Sequence, residues 1–228
     1  RFYIWVIRGT PLLVQLFISG MNSALTPWMY SKIKKGDIRS MRKVLQLLSI
    51  VVVGIAVALM LISPELVLIF GSPKYHEAVY VIPPVAASVF FIFIYNILSM
   101  PQFYYEKTQF LMAASMAAAG ANVVLNFIFI HLFGYIAAGY TTLACYMLYS
   151  VGHYIVSKRI LVNEGIQENL MNPGFLLACS VFLIGASIIC NLIFPYRILR
   201  YAILLASAGL VFWKKELLLK TMADIRKK

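Results

Sequence analysis

The stretch AVYVIPPVAASVFFIFIYNILSMPQFYYEKTQ, residues 78–109, decides the fold. Between Ala78 and Pro101 it contains no charged residue. A helix that crosses a membrane needs about 20 mostly apolar residues. The stretch therefore predicts a transmembrane helix over residues 78–101.

The composition of the whole chain agrees with that prediction. Of its 228 residues, 62% are hydrophobic and only 12% are charged. A soluble domain is nearer half apolar and a quarter charged. Cys145, Cys179 and Cys190 lie in apolar stretches without a CxxC pair, so no disulfide or metal site is expected. The chain is predicted to be an integral membrane protein of the all-α class.

Similar apolar segments on both sides of residues 78–101 predict about seven transmembrane helices. A short helix from Pro64 to about Gly71 and a tight hairpin at 132–134 are expected between them. The polar loop 158–172 divides the chain into a five-span part, residues 1–160, and two additional helices with a basic tail, residues 161–228. The predicted spans are residues 10–31, 44–63, 78–101, 109–131, 135–157, 174–194 and 198–213.

Basic residues alternate between the loops, which predicts the orientation. Fifteen of the 20 basic residues fall in every second connection and in the tail. The positive-inside rule places these in the cytoplasm, together with the C-terminus. This pattern accounts for the net charge of +12, so no nucleic-acid partner is expected. The fifteen are Lys32, Lys34, Lys35, Arg39, Arg42, Lys43, Lys107, Lys158, Arg159, Lys214, Lys215, Lys220, Arg226, Lys227 and Lys228.

No catalytic motif is present, so the chain is not predicted to be an enzyme. Nucleotide-binding glycine motifs, HExxH and GxSxG are absent from the sequence. A membrane enzyme would be expected to carry a large outer loop with Arg, His or acids, and the outer loops here are short. All eight acids lie in loops or at span edges, whereas an ion pump normally carries carboxylates within the membrane. No cofactor and no metal ion are expected.

Uncharged polar groups and prolines within the spans suggest a substrate cavity. Pro83 and Pro84 remove two backbone donors and predict a helix break, as is common where transporters bind substrate. A static kink packed against neighbouring helices is the alternative. Asn96 and Gln102 lie on one polar face of the same span.

An asparagine pair marks the next span. Asn122 and Asn126 are four residues apart and therefore lie on one helix face. They are expected either to line a polar cavity or to form hydrogen bonds between helices. Asn22 in the first span fits either role. This set of amides suits a transporter of a large, polar, uncharged group such as sugar.

Three stretches together resemble the bacterial polysaccharide flippases, which export O-antigen and capsule units. They are NSALTPWMYSKIKKGD (22–37), FGSPKYHEAVYVIPPVAASVFF (70–91) and FYYEKTQFLMAASMAAAGANVVLNFIFIHLFGYIAAGYTTLACYMLYSVGHY (103–154). The resemblance covers roughly residues 10–160, in the same order. It extends to the multidrug/oligosaccharidyl-lipid/polysaccharide flippase superfamily.

The resemblance implies both a fold and a function. Members have two helical lobes around a cavity, and this chain would supply spans eight to fourteen, with the N-terminal lobe missing. The implied activity moves undecaprenyl-diphosphate-linked oligosaccharide across the bacterial cytoplasmic (inner) membrane, in contact with membrane lipid. The family's cationic cavity residues are not evident here, apart from Lys107 at the rim. A drug/cation antiporter, a lipid II flippase and a non-transporting scaffold are the alternatives.

Overall fold

The computed structural model describes residues 19–70 and 73–213, and no strand occurs among them. The all-α prediction is confirmed. A first helix, α1, covers residues 19–34 of the described chain. The remaining elements are α2 (Ile38–Leu61), α3 (Ser63–Phe70), a 3₁₀ helix (Pro73–Val81), α4 (Ile82–Tyr104), α5 (Gln109–Phe133), α6 (Ala137–Asn163), α7 (Pro173–Ile193) and α8 (Arg197–Trp213).

Four helical segments of the described chain are long and apolar enough to cross a membrane. They are Ile38–Leu61, Glu77–Tyr104, Gln109–Phe133 and Pro173–Ile193. The second combines the end of the 3₁₀ helix with α4. Although α6 has 27 residues, its tyrosines, threonines and His153 make it more polar than these four. The described part of α8 has 17 residues, close to the lower limit for a span.

Each predicted span corresponds to a helix, but two boundaries were wrong. Helix α2 begins at Ile38 rather than near residue 44, because Asp37 caps it by accepting a hydrogen bond from the Ser40 backbone N–H at 3.2 Å. Helix α6 continues to Asn163 because Leu161 is buried in the bundle. The loop predicted at 158–172 therefore begins only at residue 164.

Two shorter features were predicted correctly. Helix α3 is the expected short helix between the second and third spans. Helices α5 and α6 form the expected tight hairpin, in which Gly134 has a φ of +76°. Residues 10–18 of the first predicted span, Gly71 and the basic tail lie outside the described residues.

Helix α4 is the centre of the bundle and packs against α2, α6 and α7. Its aromatic side chains Phe90 and Phe93 are almost completely buried. Helix α6 packs tightly against the start of α4 at Gly139, where a Cβ atom would lie 2.8 Å from Pro84 Cγ and 2.9 Å from the Val81 carbonyl oxygen. Glycine is thus required at this crossing.

Ion pairs between distant parts of the chain agree with antiparallel alternation of the helices. Arg42 lies 3.7 Å from Glu168, and both belong to the connections predicted to be cytoplasmic. Arg200 lies 2.8 Å from Glu65, and both belong to the opposite end. The charge pattern and the contacts therefore divide these residues between the two ends in the same way. Which end faces the cytoplasm stays a prediction.

Candidate substrate-binding face

One stripe of α4 is less buried than the rest of that helix. Ile92, Tyr95 and Asn96 are half-buried there, and Phe103 follows with 48% exposure. Asn96 donates its amide N–H to the Ile92 carbonyl oxygen at 2.7 Å, so the amide lies along its own helix. Helix α4 thus presents an amide and a phenol on its most accessible side.

Gln102 lies deep in the contact between α4 and α6 and is completely buried. Its amide nitrogen is 2.8 Å from Nδ1 of His153, which is also completely buried, and 3.2 Å from the Leu98 carbonyl oxygen. Within the described chain, the Gln102 amide oxygen and His153 Nε2 have no hydrogen-bond partner. Gln102 therefore connects two helices and is not itself accessible.

The asparagine pair joins α5 to α6. Asn126 donates to the Asn122 amide oxygen at 2.9 Å, and the Thr141 hydroxyl donates to the Asn126 amide oxygen. The sequence predicted either a cavity wall or a hydrogen bond between helices for this pair, and the hydrogen bond between helices is present. Asn126 also borders an open depression on α5, and Thr141 borders an open groove of about 460 Å³ between the helices.

Two further predicted residues lie apart from these groups. Asn22 is on α1, and its amide oxygen is buried without a hydrogen-bond partner in the described part of the protein. Thr26, one turn later, contacts Met100 of α4 at 3.6 Å. Lys107 is exposed in the connection between α4 and α5. The structure therefore does not gather the six predicted polar residues into one site.

Pro83 and Pro84 lie at the start of α4 rather than in the middle of a span. They occupy its first turn, where missing N–H groups cost little, and the 3₁₀ helix ends at Val81 just before them. The prolines thus mark a change of helix type near one end. Pro101 lies inside α4 near its other end and was not singled out from the sequence.

Sequence reasoning also missed an aromatic group between α4 and α6. Tyr95 of α4 meets Tyr146 and Tyr149 of α6, and Tyr149 contacts His153. The spacing of three and four residues along α6 places these side chains on one helix face, and this signal was available in the sequence. The described residues contain no His, Cys, Asp and Glu group that could hold a metal ion.

At the opposite end of the bundle, an ion pair ties α8 to α3. Both terminal nitrogens of Arg200 donate to the Glu65 carboxylate, at 2.8 and 2.9 Å, and Arg200 also donates to the Leu61 carbonyl oxygen at 2.9 Å. Desolvation by burial raises the pKa of Glu65. The hydrogen bonds from Arg200 and Tyr201 and the charge of Arg200 outweigh it, so the pKa lies below its usual value.

Length, composition and the antiparallel helix bundle define a multi-pass helical membrane protein. The sequence model of the MatE family matches residues 6–128, more than half of the chain. The protein belongs to this family, within the multidrug/oligosaccharidyl-lipid/polysaccharide flippase superfamily, and its members are membrane transporters rather than enzymes. No curated protein and no solved structure matches the chain.

Proposed function

We propose that this protein moves an undecaprenyl-diphosphate-linked oligosaccharide across the bacterial cytoplasmic membrane for the synthesis of surface polysaccharide. The observation that carries the proposal is the uncharged polar character of the bundle interior. Amides and phenols, among them Tyr95, Asn96 and Gln102, occur along the described helices, whereas the acids lie at helix ends or in loops. A glycan is large, polar and rich in hydroxyl groups, which such side chains bind through hydrogen bonds.

The accessible stripe of α4 is the proposed wall of the substrate cavity. A second lobe of the same protein would face this stripe and complete the cavity. Rocking of the two lobes would then open the cavity to each side of the membrane in turn. Lys107 is exposed beside the end of α4, and we assign it the role of meeting the diphosphate at the rim.

The asparagine pair is proposed as a secondary contributor. Asn126 accepts a hydrogen bond from Thr141 of α6 and donates one to Asn122 on its own helix, and it also borders a surface depression. We assign the pair a role in keeping the two helices together while the lobe moves. Asn22, whose amide oxygen has no partner in the described chain, is proposed to meet a polar group of the substrate or of the second lobe.

A drug or cation antiporter of the same superfamily is the alternative function. Such a transporter is expected to place a carboxylate near its substrate, since intramembrane acids mark ion pathways. The acids of the described chain lie at helix ends or in connections, as Glu65, Glu106 and Glu164 do. The interior of the bundle therefore favours the neutral glycan.

Deletion of the gene in its host tests the proposal. The lipid-linked glycan should accumulate on the cytoplasmic leaflet, and surface polysaccharide should be lost. Both changes should be reversed by the intact gene, but not by an unrelated membrane transporter expressed to the same level. If the glycan is distributed normally in the deletion strain, the proposal is wrong, and drug efflux should be assayed in that strain.

A further inference from the structure

Three tyrosines form a compact group between α4 and α6, which we name the tyrosine cluster: Tyr95, Tyr146 and Tyr149. The ring centroid of Tyr95 lies 4.6 Å from that of Tyr149 and 6.2 Å from that of Tyr146. The ring planes of Tyr95 and Tyr146 are inclined by 5° and so are nearly parallel. All three side chains are half-buried. Their rings are therefore packed together but remain partly accessible.

The depth of the cluster separates it from an interfacial aromatic belt. Tyr95 follows Ile82, the first residue of α4, by thirteen residues, or about 20 Å at 1.5 Å per residue. Interfacial tyrosines lie at the ends of spans, as Tyr104 and Tyr105 do here. Phenol groups halfway along a span need polar surroundings, which lipid tails do not provide. The position of Tyr95 therefore fits the wall of a polar cavity better than an interfacial belt.

One buried and one exposed polar contact, together with ring packing, hold the cluster in place. His153 packs edge-on against Tyr149, with centroids 4.5 Å apart, and its Nδ1 atom is 2.8 Å from the Gln102 amide nitrogen. From α5, Phe110 packs against His153, and Ser115 shares a hydrogen bond of 2.7 Å with the Tyr149 hydroxyl. Each side chain behind Tyr149 is thereby fixed by a neighbour on another helix.

We propose that the tyrosine cluster is a stacking platform for one sugar ring of the transported glycan. This inference rests on the proposed function and names a part of its substrate site. The apolar C–H face of a sugar packs on an electron-rich aromatic ring, while the tyrosine hydroxyls bind the hydroxyl groups at the edge of the sugar. Asn96, next to Tyr95 on the accessible stripe of α4, adds an amide for the same purpose.

An organic cation is the other ligand that aromatic groups attract. The charged residues of the described helices lie at or near their ends, and the contacts of the cluster include Asn96, Ser115, His153 and aromatic rings. No carboxylate is among these contacts, so nothing in them would balance the charge of a bound cation. The cluster therefore fits a neutral sugar better.

Binding to the purified full-length protein tests the platform with two probes. One is the lipid-linked oligosaccharide extracted from the host, and the other is undecaprenyl diphosphate without sugar. Tyr149→Leu and Tyr95→Leu should weaken binding of the glycan-bearing lipid about fivefold to tenfold, as loss of about 1–1.4 kcal/mol of stacking requires. Binding of the sugar-free lipid should stay unchanged.

Tyr140→Leu is the matched control, because Tyr140 is on the same helix but near its first turn, where its hydroxyl contacts Asn191. It should leave both affinities unchanged. The double variant Tyr95→Phe/Tyr149→Phe keeps both rings and guards against misfolding of the leucine variants. It should lose about threefold in affinity for the glycan-bearing lipid only.

The outcomes separate this inference from the proposed function. If the unaltered protein binds neither lipid, the proposed function itself is contradicted. If it binds the glycan-bearing lipid and the tyrosine variants bind it equally well, the platform alone is overturned. Tetraphenylphosphonium provides a further test. If this cation displaces the glycan-bearing lipid from the unaltered protein but not from Tyr149→Leu, the platform is overturned and the cluster binds cations instead.

Discussion

Gln102 of α4 and His153 of α6 form a hydrogen-bonded pair, with 2.8 Å between the amide nitrogen and Nδ1, and both side chains are completely shielded. The pair lies within the contact between α4 and α6 and directly behind Tyr149. The pair holds α4 and α6 together, and these two helices form the wall of the proposed cavity.

Replacing one member of this pair should destabilise the protein. Gln102→Leu leaves Nδ1 of His153 without its partner, and an unpaired buried polar group costs about 1–3 kcal/mol. The unfolding temperature of the purified protein in detergent should fall accordingly. Asn96→Leu, which removes hydrogen bonds only to residues of its own helix, is the control and should change the unfolding temperature less.

The double variant Gln102→Leu/His153→Leu sharpens that test. Because both polar groups are then removed together, its loss of stability should be smaller than the sum of the two single losses. Additive losses would show that the two side chains act independently, contrary to the observed contact.

The asparagine pair should contribute through packing. Asn126→Leu removes the hydrogen bond to Asn122 within α5 and the hydrogen bond to Thr141 of α6, and a hydrogen bond between membrane helices is worth about 0.6–2 kcal/mol. Thermal unfolding should report this loss, and Thr141→Val should reproduce part of it. Phe127→Leu, at a side chain that is 82% exposed on the same helix, should have no effect.

Transport by the same variants decides between the two roles expected for the pair. If Asn122→Leu and Asn126→Leu lower the amount of protein in the membrane together with transport, the pair acts in packing. If transport falls while the protein level stays normal, the pair also contacts the substrate.

Gly139 should tolerate no larger side chain. A Cβ atom there would lie 2.8 Å from Pro84 Cγ, so α6 must move away from α4, at a cost of about 1–3 kcal/mol. Gly139→Ala should therefore lower the unfolding temperature. Gly54→Ala is the matched control on α2, where nothing lies within 4 Å of the added atom, and it should leave that temperature unchanged or raise it. Equal effects of both changes would refute the close contact.

Acid should loosen the connection between α3 and α8. Because the pKa of Glu65 in the folded protein lies below its ordinary value of 4.5, its pairing stabilises the fold fully above about pH 4.5. This contribution is lost as the pH falls through the lowered pKa, since the protonated carboxyl no longer balances Arg200.

The unfolding temperature at pH 7 and at pH 3.5 checks this dependence. Glu65→Gln should lower stability at pH 7 by about 1.5–3 kcal/mol, the usual contribution of charged hydrogen bonds, and should reduce the difference between the two pH values. Glu77→Gln is the control, because Glu77 accepts an exposed hydrogen bond from Tyr135 and has no ion pair of 4 Å or less in the described chain. An unchanged pH dependence in Glu65→Gln would contradict the assignment.

Hydropathy predicted the order of the long helices because most of them are long apolar segments, whereas the 3₁₀ helix before α4 was not predicted. The boundaries that were wrong depend on tertiary contacts: α6 runs past Lys158 and Arg159, since Leu161 packs into the bundle while the two charges stay exposed. The Gln102–His153 pair joins residues 51 positions apart, which no local pattern specifies. The α5–α6 hydrogen bond was predictable as an alternative, because the helices form a tight hairpin.

Reconstitution provides the most direct test of the central claim that the protein moves a lipid-linked glycan. The intact protein should be placed in liposomes that contain undecaprenyl-diphosphate-linked oligosaccharide, and an external glycosidase should then be added. The account predicts that the glycan of both leaflets is cleaved, whereas liposomes without protein lose only the outer half. Cleavage that stops at the outer half in the presence of correctly folded protein would contradict it.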